Sequence, residues 1–257
     1  MPNKMPSEIE SAVKRAVVWG NLADMPSSAV LQAYLPTALL SSRLQGIEQS
    51  DINPRRQQRL RGSLLAHFLL AKLLEHFGQP ISLLERIQRT PSGRPYFAEM
   101  PQIDFNISHS ADWVAVVIAI TEPDESAVAV AIDIEGPQKV RNFDGLIRFY
   151  ASEAEQHWFM RQTQKEAAFY RTWCPREAVL KSQGVGIVKL RSVTHLPQQQ
   201  QILCDYAPTG KLFFTDELPF YLAYFLQQSQ ERQPELFCWQ SKLISANLSQ
   251  QVIYQVN

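Results

Sequence analysis

Three strand-like segments, which follow one another between residues 103 and 134, constrain the fold of this 257-residue chain more than any other feature. The first, 103–108, alternates apolar and polar side chains, as a half-buried strand does. The second and third, 113–120 and 127–134, are almost wholly apolar and rich in β-branched residues, which favours buried strands. The sequence therefore predicts a sheet near the middle of the chain.

The connections between these segments are four and six residues long, which predicts an antiparallel meander. The first and third strands of a meander run in the same direction, so their ends lie at the same edge of the sheet. We therefore expect Ser108 and His109 to lie beside Asp133 and Glu135. Two polar clusters that are separate in the sequence would then form one candidate site.

Helical patterns surround these strands. Apolar residues spaced by three and four predict an amphipathic helix from about residue 56 to residue 77, and further helices are predicted over 149–159 and 167–182. Turns are predicted at 91–95 and 184–186, and short strands at 202–206, 211–215, 221–226 and 236–239. Because both halves combine helices with short strands, we expect two α+β subdomains, residues 1–125 and 126–257.

Charge and composition argue against several classes of function. The chain has 25 basic and 25 acidic residues, balanced in each half, so its net charge does not favour binding to nucleic acid or to an anionic membrane. No phosphate-binding loop, dinucleotide-binding glycine motif or serine-hydrolase motif is present. The three cysteines show no close pairing and no signal peptide precedes them, which predicts a cytoplasmic protein.

Asp133 and Glu135 are the strongest candidates for chemistry. The period of a strand places both on one face, while Ile132 and Ile134 point the other way. Two carboxylates this close repel each other unless a cation or a basic group neutralises them. Carboxylate ligands favour Mg²⁺ over Zn²⁺. The alternative is an edge strand that ends in solvated acids.

Glu177 and Lys181 stand four residues apart and share one face of the predicted helix. They could form an ordinary exposed ion pair. Alternatively, Glu177 completes a three-carboxylate metal site with Asp133 and Glu135, and Lys181 contacts a phosphate beside it.

Hydroxyl, imidazole and guanidinium groups supply candidate phosphate ligands. Ser108 can donate its hydroxyl to a diphosphate, and a protonated His109 can donate both ring N–H groups, although a histidine at a strand end is more often structural. Arg94 lies in a predicted turn. A helix start disfavours cations, so a bound anion or a solvated face is needed to explain Arg55, Arg56, Arg59 and Arg61.

Taken in order, these motifs resemble those of the 4′-phosphopantetheinyl transferase superfamily, of the surfactin-synthetase-activating (Sfp/AcpT) type. The family combines a basic helix with a Gly-Lys-Pro-like turn and with Phe-Asn-x-Ser-His-Ser, Gly-x-Asp-x-Glu and Trp-x-x-Lys-Glu-Ala-x-x-Lys-x-x-Gly patterns. The matching segments here are 55–61, 93–95, 105–110, 131–135 and 173–184. Each motif alone is weak evidence for the family, but the presence of all five in this order is very specific to it.

The resemblance implies an α+β monomer of two similar subdomains, related by pseudo-twofold symmetry, with the active site between them. Such enzymes move the phosphopantetheine arm of coenzyme A to a serine of an apo acyl or peptidyl carrier protein and release adenosine 3′,5′-bisphosphate. They serve fatty-acid, polyketide or nonribosomal-peptide synthesis. The alternative is a module that binds coenzyme A or a carrier protein without catalysis.

The resemblance also implies roles for individual residues. Asp133, Glu135 and Glu177 would hold Mg²⁺ on the coenzyme A diphosphate, and Glu177 and Lys181 would serve catalysis. The residues expected to contact coenzyme A are Arg55, Arg59, Arg94, Ser108, His109 and Lys181.

The chain departs from the family pattern at several positions. Ala131 replaces a glycine and Arg176 replaces a lysine, while Ala154 stands where some members have an acid, so that Glu153 becomes the predicted general base. Pro175 lies within the predicted helix and is expected to kink or restart it.

Overall fold

A computed structural model of the chain describes residues 13–48, 53–123, 125, 127–137, 141–227 and 233–257. The helices in these ranges are α1 (Ser28–Tyr34), α2 (Thr37–Ile47), α3 (Pro54–His76), α4 (Phe143–Tyr150), α5 (Glu153–Met160) and α6 (Lys165–Ser182), with short 3₁₀ helices at Leu22–Asp24, Ile81–Arg86 and Ile187–Ser192. The strands are β1 (Lys14–Asn21), β2 (Ile87–Arg89), β3 (Pro95–Phe97), β4 (Ile103–Ser110), β5 (Trp113–Ile120), β6 (Val130–Glu135), β7 (Thr194–Leu196), β8 (Gln201–Leu203), β9 (Gly210–Thr215), β10 (Tyr221–Gln227), β11 (Glu235–Trp239), β12 (Leu243–Ser245) and β13 (Val252–Val256). None of the described helices is long and apolar enough to cross a membrane.

The strands form two large sheets and one hairpin. The first sheet has the order β12-β11-β1-β5-β4, the second has the order β6-β10-β9-β13-β8-β7, and β2 pairs with β3. The predicted division at residue 125 falls between β5 and β6 and so separates most strands of the two sheets. The later strands β11 and β12, however, return to the first sheet, where β11 lies parallel to β1.

The apolar side chains form three layers of core. On β5, Val116 and Ile118 pack in the core shared with α3, whereas Val117 and Ala119 pack in the core between the two sheets. The outer face of the second sheet packs against α6 in the third core. The order of layers is therefore helix, sheet, sheet, helix, which confirms the predicted α+β class with two sheet-rich subdomains. One long helix packs on the outer face of each sheet, α3 on the first and α6 on the second, as expected of two subdomains related by pseudo-twofold symmetry.

The predicted meander is wrong. Strands β4 and β5 pair antiparallel as expected, but β6 pairs with β10 in the second sheet. A strand has only two edges, and both edges of β5 are occupied, by β4 on one side and by β1 on the other. Sequence reasoning did not identify β1 as a strand and so left this edge open for β6.

The ends of β4 and β6 meet nevertheless, because polar side chains of β4 accept hydrogen bonds from the backbone of β6. We call this row of contacts the β4–β6 seam. Its four bonds run from Val130 N to Asp104 (2.9 Å), Ile132 N to Asn106 (3.2 Å), Ile134 N to Ser108 (3.2 Å) and Gly136 N to Ser110 (3.0 Å). On the side of β6 that faces away from β10, the backbone amides thus find hydrogen-bond acceptors in the seam. At an open sheet edge the same amides would have no protein partner.

The helices differ from the prediction at two places. The helix expected over 149–159 is two helices, because Ser152 is extended and caps the start of α5 by accepting a hydrogen bond from the Glu155 amide at 3.3 Å. Helix α6 continues through Pro175 to Ser182, so the proline does not restart it. Glu177 and Lys181 therefore belong to one helix, as the motif requires.

Candidate active site

Two neighbouring cavities, of about 380 and 460 Å³, have walls from α3 and β4, and His109 lines both. The first cavity also takes walls from α6 and includes Arg94, Glu177 and Lys181 in its lining. The second includes Arg55, Arg59, Glu135 and Arg141. Side chains from both halves of the chain therefore converge at this place.

The acidic side of the site comes from β6 and α6. Asp133 is buried, and its Oδ1 atom accepts hydrogen bonds from Lys181 Nζ at 2.5 Å and from the Ser108 hydroxyl at 3.3 Å. Lys181 Nζ also lies 3.7 Å from a Glu177 carboxylate oxygen. Glu135 accepts from the Ser110 hydroxyl at 3.0 Å. The prediction that the ends of the two strands meet is confirmed by these contacts.

Asp133 perturbs the other two acids, Glu135 and Glu177. Burial and the nearby Asp133 carboxylate raise the pKa of Glu177 to about 7. Burial and Asp133 also raise the pKa of Glu135. Burial opposes the charge of Lys181, but Asp133 and Glu177 outweigh it and raise the pKa of the ammonium. The acids are therefore held at an energetic cost that a further cation would reduce.

The chemistry of these acids fits a hard cation. All three candidate ligands offer oxygen, and the Oδ2 atom of Asp133 is buried without a hydrogen-bond partner. As they stand, however, the described residues contain no group of three or more Asp, Glu, His or Cys side chains arranged to hold a metal ion. The Lys181 ammonium partly neutralises Asp133 and Glu177.

The basic side of the site comes mainly from α3 and β4. Arg55 and Arg59 are exposed in the first turns of α3 and line the second cavity. His109 lies between the two cavities with its surface still exposed to solvent, and partial desolvation by the cavity walls together with the charges of Lys181 and Arg59 lowers its pKa. An anion bound here would stabilise the imidazolium and offset these repulsions.

Ser108 and Arg94, both predicted to contact coenzyme A, are engaged by the protein itself. The Ser108 hydroxyl lies within hydrogen-bond distance of the Ile134 amide, Asp133 and Lys181. The Arg94 guanidinium forms an ion pair with Asp104. Their contacts with a ligand stay predictions.

Glu153, the predicted base, is the exposed first residue of α5 and is not among the residues that line either cavity. Its neighbour Glu155 is fully buried and forms a two-pronged ion pair with Arg176, with a further bond from His195 at 2.8 Å. Burial opposes ionisation of Glu155, but Arg176 outweighs it and keeps the pKa of Glu155 low. Arg176, which replaces the family's lysine, thus joins α5 to α6.

Arg141 and His67 are among the side chains in the cavity walls that sequence reasoning missed. Arg141 lines the second cavity and lies 3.5 Å from Glu135, but nothing in the local sequence marks it. His67 lines the first cavity and is buried on α3, with Nδ1 donating to the Ser63 carbonyl at 2.7 Å. His67 follows Leu64 by three residues and so falls on the apolar face of the predicted helix. A polar residue on that face was a signal that could have identified it.

Comparison with known proteins identifies the family. A family model described as the 4′-phosphopantetheinyl transferase superfamily matches residues 129–239, and one described as a 4′-phosphopantetheinyl transferase N-terminal region matches residues 36–121. A Haemophilus influenzae protein described as a 4′-phosphopantetheinyl transferase is 49% identical over 87% of this chain and 92% of its own length.

More distant relatives carry similar names. The 4′-phosphopantetheinyl transferase AcpT of Salmonella typhimurium is 28% identical over 76% of this chain and 91% of its own length. The L-aminoadipate-semialdehyde dehydrogenase-phosphopantetheinyl transferase of Xenopus laevis is 32% identical over 39% of this chain and 36% of its own length. With a site that brings acidic and basic side chains together, and with relatives across most of its length, this chain belongs to the 4′-phosphopantetheinyl transferase superfamily.

Proposed function

We propose that this protein transfers the 4′-phosphopantetheine arm of coenzyme A to a serine hydroxyl of an apo acyl or peptidyl carrier protein and releases adenosine 3′,5′-bisphosphate. The observation that supports this most is the meeting of carboxylates from β6 and α6 with basic groups from α3 and β4 around the same cavities. Coenzyme A carries a diphosphate and a 3′-phosphate, so it needs positive charge at more than one point along its length.

Asp133, Glu135 and Glu177 would hold a Mg²⁺ ion. When bound, this ion would neutralise the charge that develops on the diphosphate leaving group. The Oδ2 atom of Asp133 supports this role, because it is buried and accepts no hydrogen bond.

The basic side chains would bind and orient the phosphates. Lys181 would contact the diphosphate, because its ammonium lies beside Asp133 and lines the first cavity. Arg55, Arg59 and His109, which line the second cavity, would hold the 3′-phosphate. Phosphoryl transfer depends largely on such positioning and charge neutralisation.

The acceptor serine must lose its proton during the transfer. Glu153 stays the predicted base, and its exposed position at the start of α5 would require the carrier protein to bring the serine to it. The change Glu153→Gln tests this assignment. Loss of a base that acts in the transition state should lower kcat much more than it changes the KM for coenzyme A.

The other possibility is a module that binds coenzyme A or a carrier protein without catalysis. Pro175 would favour it if the proline broke the helix that carries Glu177 and Lys181. Helix α6 runs through Pro175, and both Glu177 and Lys181 line the first cavity beyond it. This favours the enzyme, because the proline does not remove either group from the site.

We also propose that the protein acts as a cytoplasmic monomer. The three cysteines are free thiols, two of them buried, as a reducing compartment permits.

A panel of apo carrier proteins from fatty-acid, polyketide and peptide-synthetase systems tests the proposed function. Each is incubated with the protein, coenzyme A and Mg²⁺, and mass spectrometry reads the mass of the carrier. We expect at least one carrier to gain one phosphopantetheine. If no carrier gains it while a known transferase modifies the same panel, and calorimetry still detects coenzyme A binding, the protein is a binding module.

A further inference from the structure

Arg94 contacts three other elements at once. Its Nη2 atom donates to both carboxylate oxygens of Asp104 in β4, at 2.8 and 2.6 Å, and to the Val130 carbonyl in β6 at 3.3 Å. Its Nε atom donates to the carbonyl of Lys181, in the last turn of α6, at 3.1 Å. The side chains of Arg94 and Asp104 are only 13% and 12% exposed. A single guanidinium thus connects β4, β6 and α6.

Asp104 also begins the β4–β6 seam, since it accepts the Val130 amide at 2.9 Å. His109 lies near the other end of the same strand, and Asp133 lies in the partner strand. The seam therefore sets the spacing between the basic and the acidic groups of the site, and Arg94 links the last turn of α6 to it.

We propose that Arg94 and Asp104 are a positioning pair, which holds the C-terminal end of α6, with Glu177 and Lys181, against the seam. This inference rests on the proposed function and replaces the phosphate contact that the resemblance implies for Arg94. A guanidinium has donors in fixed directions and can bond several acceptors at once, whereas a lysine ammonium is a point charge on a flexible stem. The end of a helix also presents backbone carbonyls that favour a cation.

The two roles for Arg94 predict opposite effects of a change at Asp104. If Arg94 bound a phosphate of coenzyme A, Asp104→Asn would release the guanidinium and lower the KM for coenzyme A. If Arg94 and Asp104 position α6, the same change loosens the helix end and slows transfer.

The kinetic test measures kcat and KM for coenzyme A in wild type, Arg94→Lys, Asp104→Asn and the double variant. We expect each single variant to lower kcat by about tenfold, because small misplacements act mainly on the transition state. We expect kcat of the double variant to lie within about twofold of kcat of the less active single variant, since both changes break the same pair. The matched control is Arg59→Lys, an exposed arginine in the second cavity, which should mainly raise KM. Wild-type kcat in Arg94→Lys, or a lowered KM in Asp104→Asn, would overturn the inference.

A second readout does not depend on activity. The Gly184 amide donates to the same Lys181 carbonyl that Arg94 contacts, at 3.1 Å. In Arg94→Lys we expect hydrogen exchange at Gly184 to be about tenfold faster, while exchange at Ile132, which bonds to Asn106 in the middle of the seam, is unchanged. Unchanged exchange at Gly184 would overturn the positioning role whatever the assay of transfer shows. Faster exchange in a protein that transfers nothing would leave the positioning role standing and reject the proposed function.

Discussion

Lys181 connects the acidic and basic parts of the site through one side chain. Its ammonium bonds to Asp133 and lies 3.7 Å from Glu177, so it neutralises part of the acidic cluster. A cation bound to these acids would take over part of this neutralisation. Under the proposed function, Lys181 would then be available to contact the diphosphate.

His109 leads to a prediction on the pH dependence of coenzyme A binding. Its pKa is lowered in the free protein by partial desolvation and by the charges of Lys181 and Arg59, whereas a bound phosphate favours the imidazolium and raises it. The complex thus binds more protons than the free protein, so this residue strengthens affinity as the pH falls below the ordinary histidine pKa of about 6.5. We expect calorimetry to show that the affinity of wild type for coenzyme A includes this increase at low pH, and that His109→Gln lacks it.

The comparison with His109→Gln is needed because the phosphate titrates too. Ionisation of the 3′-phosphate strengthens binding as the pH rises, and it does so equally in both proteins. The difference between the two pH profiles therefore isolates His109. Parallel profiles would show that no phosphate binds near this imidazole.

At the residue scale, sequence reasoning identified several of the side chains that line the two cavities, but not what they bond to, and its predicted base Glu153 lines neither cavity. The positions of Asp133, Glu177 and Lys181 follow from strand and helix periods, and the structure brings them together. The partners of Arg94 and Arg176 do not follow, because Asp104 and Glu155 lie on other elements and only the tertiary fold brings them within reach.

At the scale of elements, α5, α6 and β7 are joined by a buried cluster in which Arg176 and His195 both contact Glu155. Burial lowers the pKa of His195 to about 4. The unfolded chain therefore takes up a proton at this histidine below about pH 6.5, and the folded protein does not. The free energy of unfolding should fall by up to about 3 kcal/mol as the pH drops from about 6.5 to about 4.

The variant His195→Asn tests this prediction, since its amide can donate to Glu155 without titrating. Urea unfolding between pH 7 and 4 should show a flatter dependence of stability on pH in this variant than in wild type. His157→Asn, which changes an exposed histidine on α5, is the matched control and should keep the wild-type slope. An equal slope in His195→Asn and wild type would contradict the assignment.

Individual elements were easier to predict than their pairing. Strand β5 spans the predicted residues, and β9, β10 and β11 differ from theirs by one residue at an end, because each has a clear apolar run between turn residues. Strand β1 was missed, although it contains a short apolar run, and that omission produced the false meander. Which edge of a strand stays open depends on distant segments, and a local pattern carries no information about it.

At the scale of the whole molecule, the core between the sheets joins the two parts of the chain. It contains Val117 and Trp19 from the first sheet and Ile132 and Tyr224 from the second. Because both sheets share this core, we expect one cooperative unfolding transition. Ile132→Ala should lower the free energy of unfolding by about 2–5 kcal/mol, since Ile132 is fully buried. Two separate transitions in calorimetry would contradict this.

Asp133 lies in the site, and Ile132, the adjacent residue of β6, lies on the opposite face of the strand. The two positions therefore provide a matched pair of variants to test whether the acids of the site are needed for transfer. The measurement is the rate at which an apo carrier protein gains phosphopantetheine from coenzyme A in the presence of Mg²⁺, followed by mass spectrometry below the unfolding temperature of every variant. We expect wild type and Ile132→Ala to transfer phosphopantetheine at similar rates, and Asp133→Asn to show no detectable transfer. Transfer by Asp133→Asn at the wild-type rate would show that this acid is not needed.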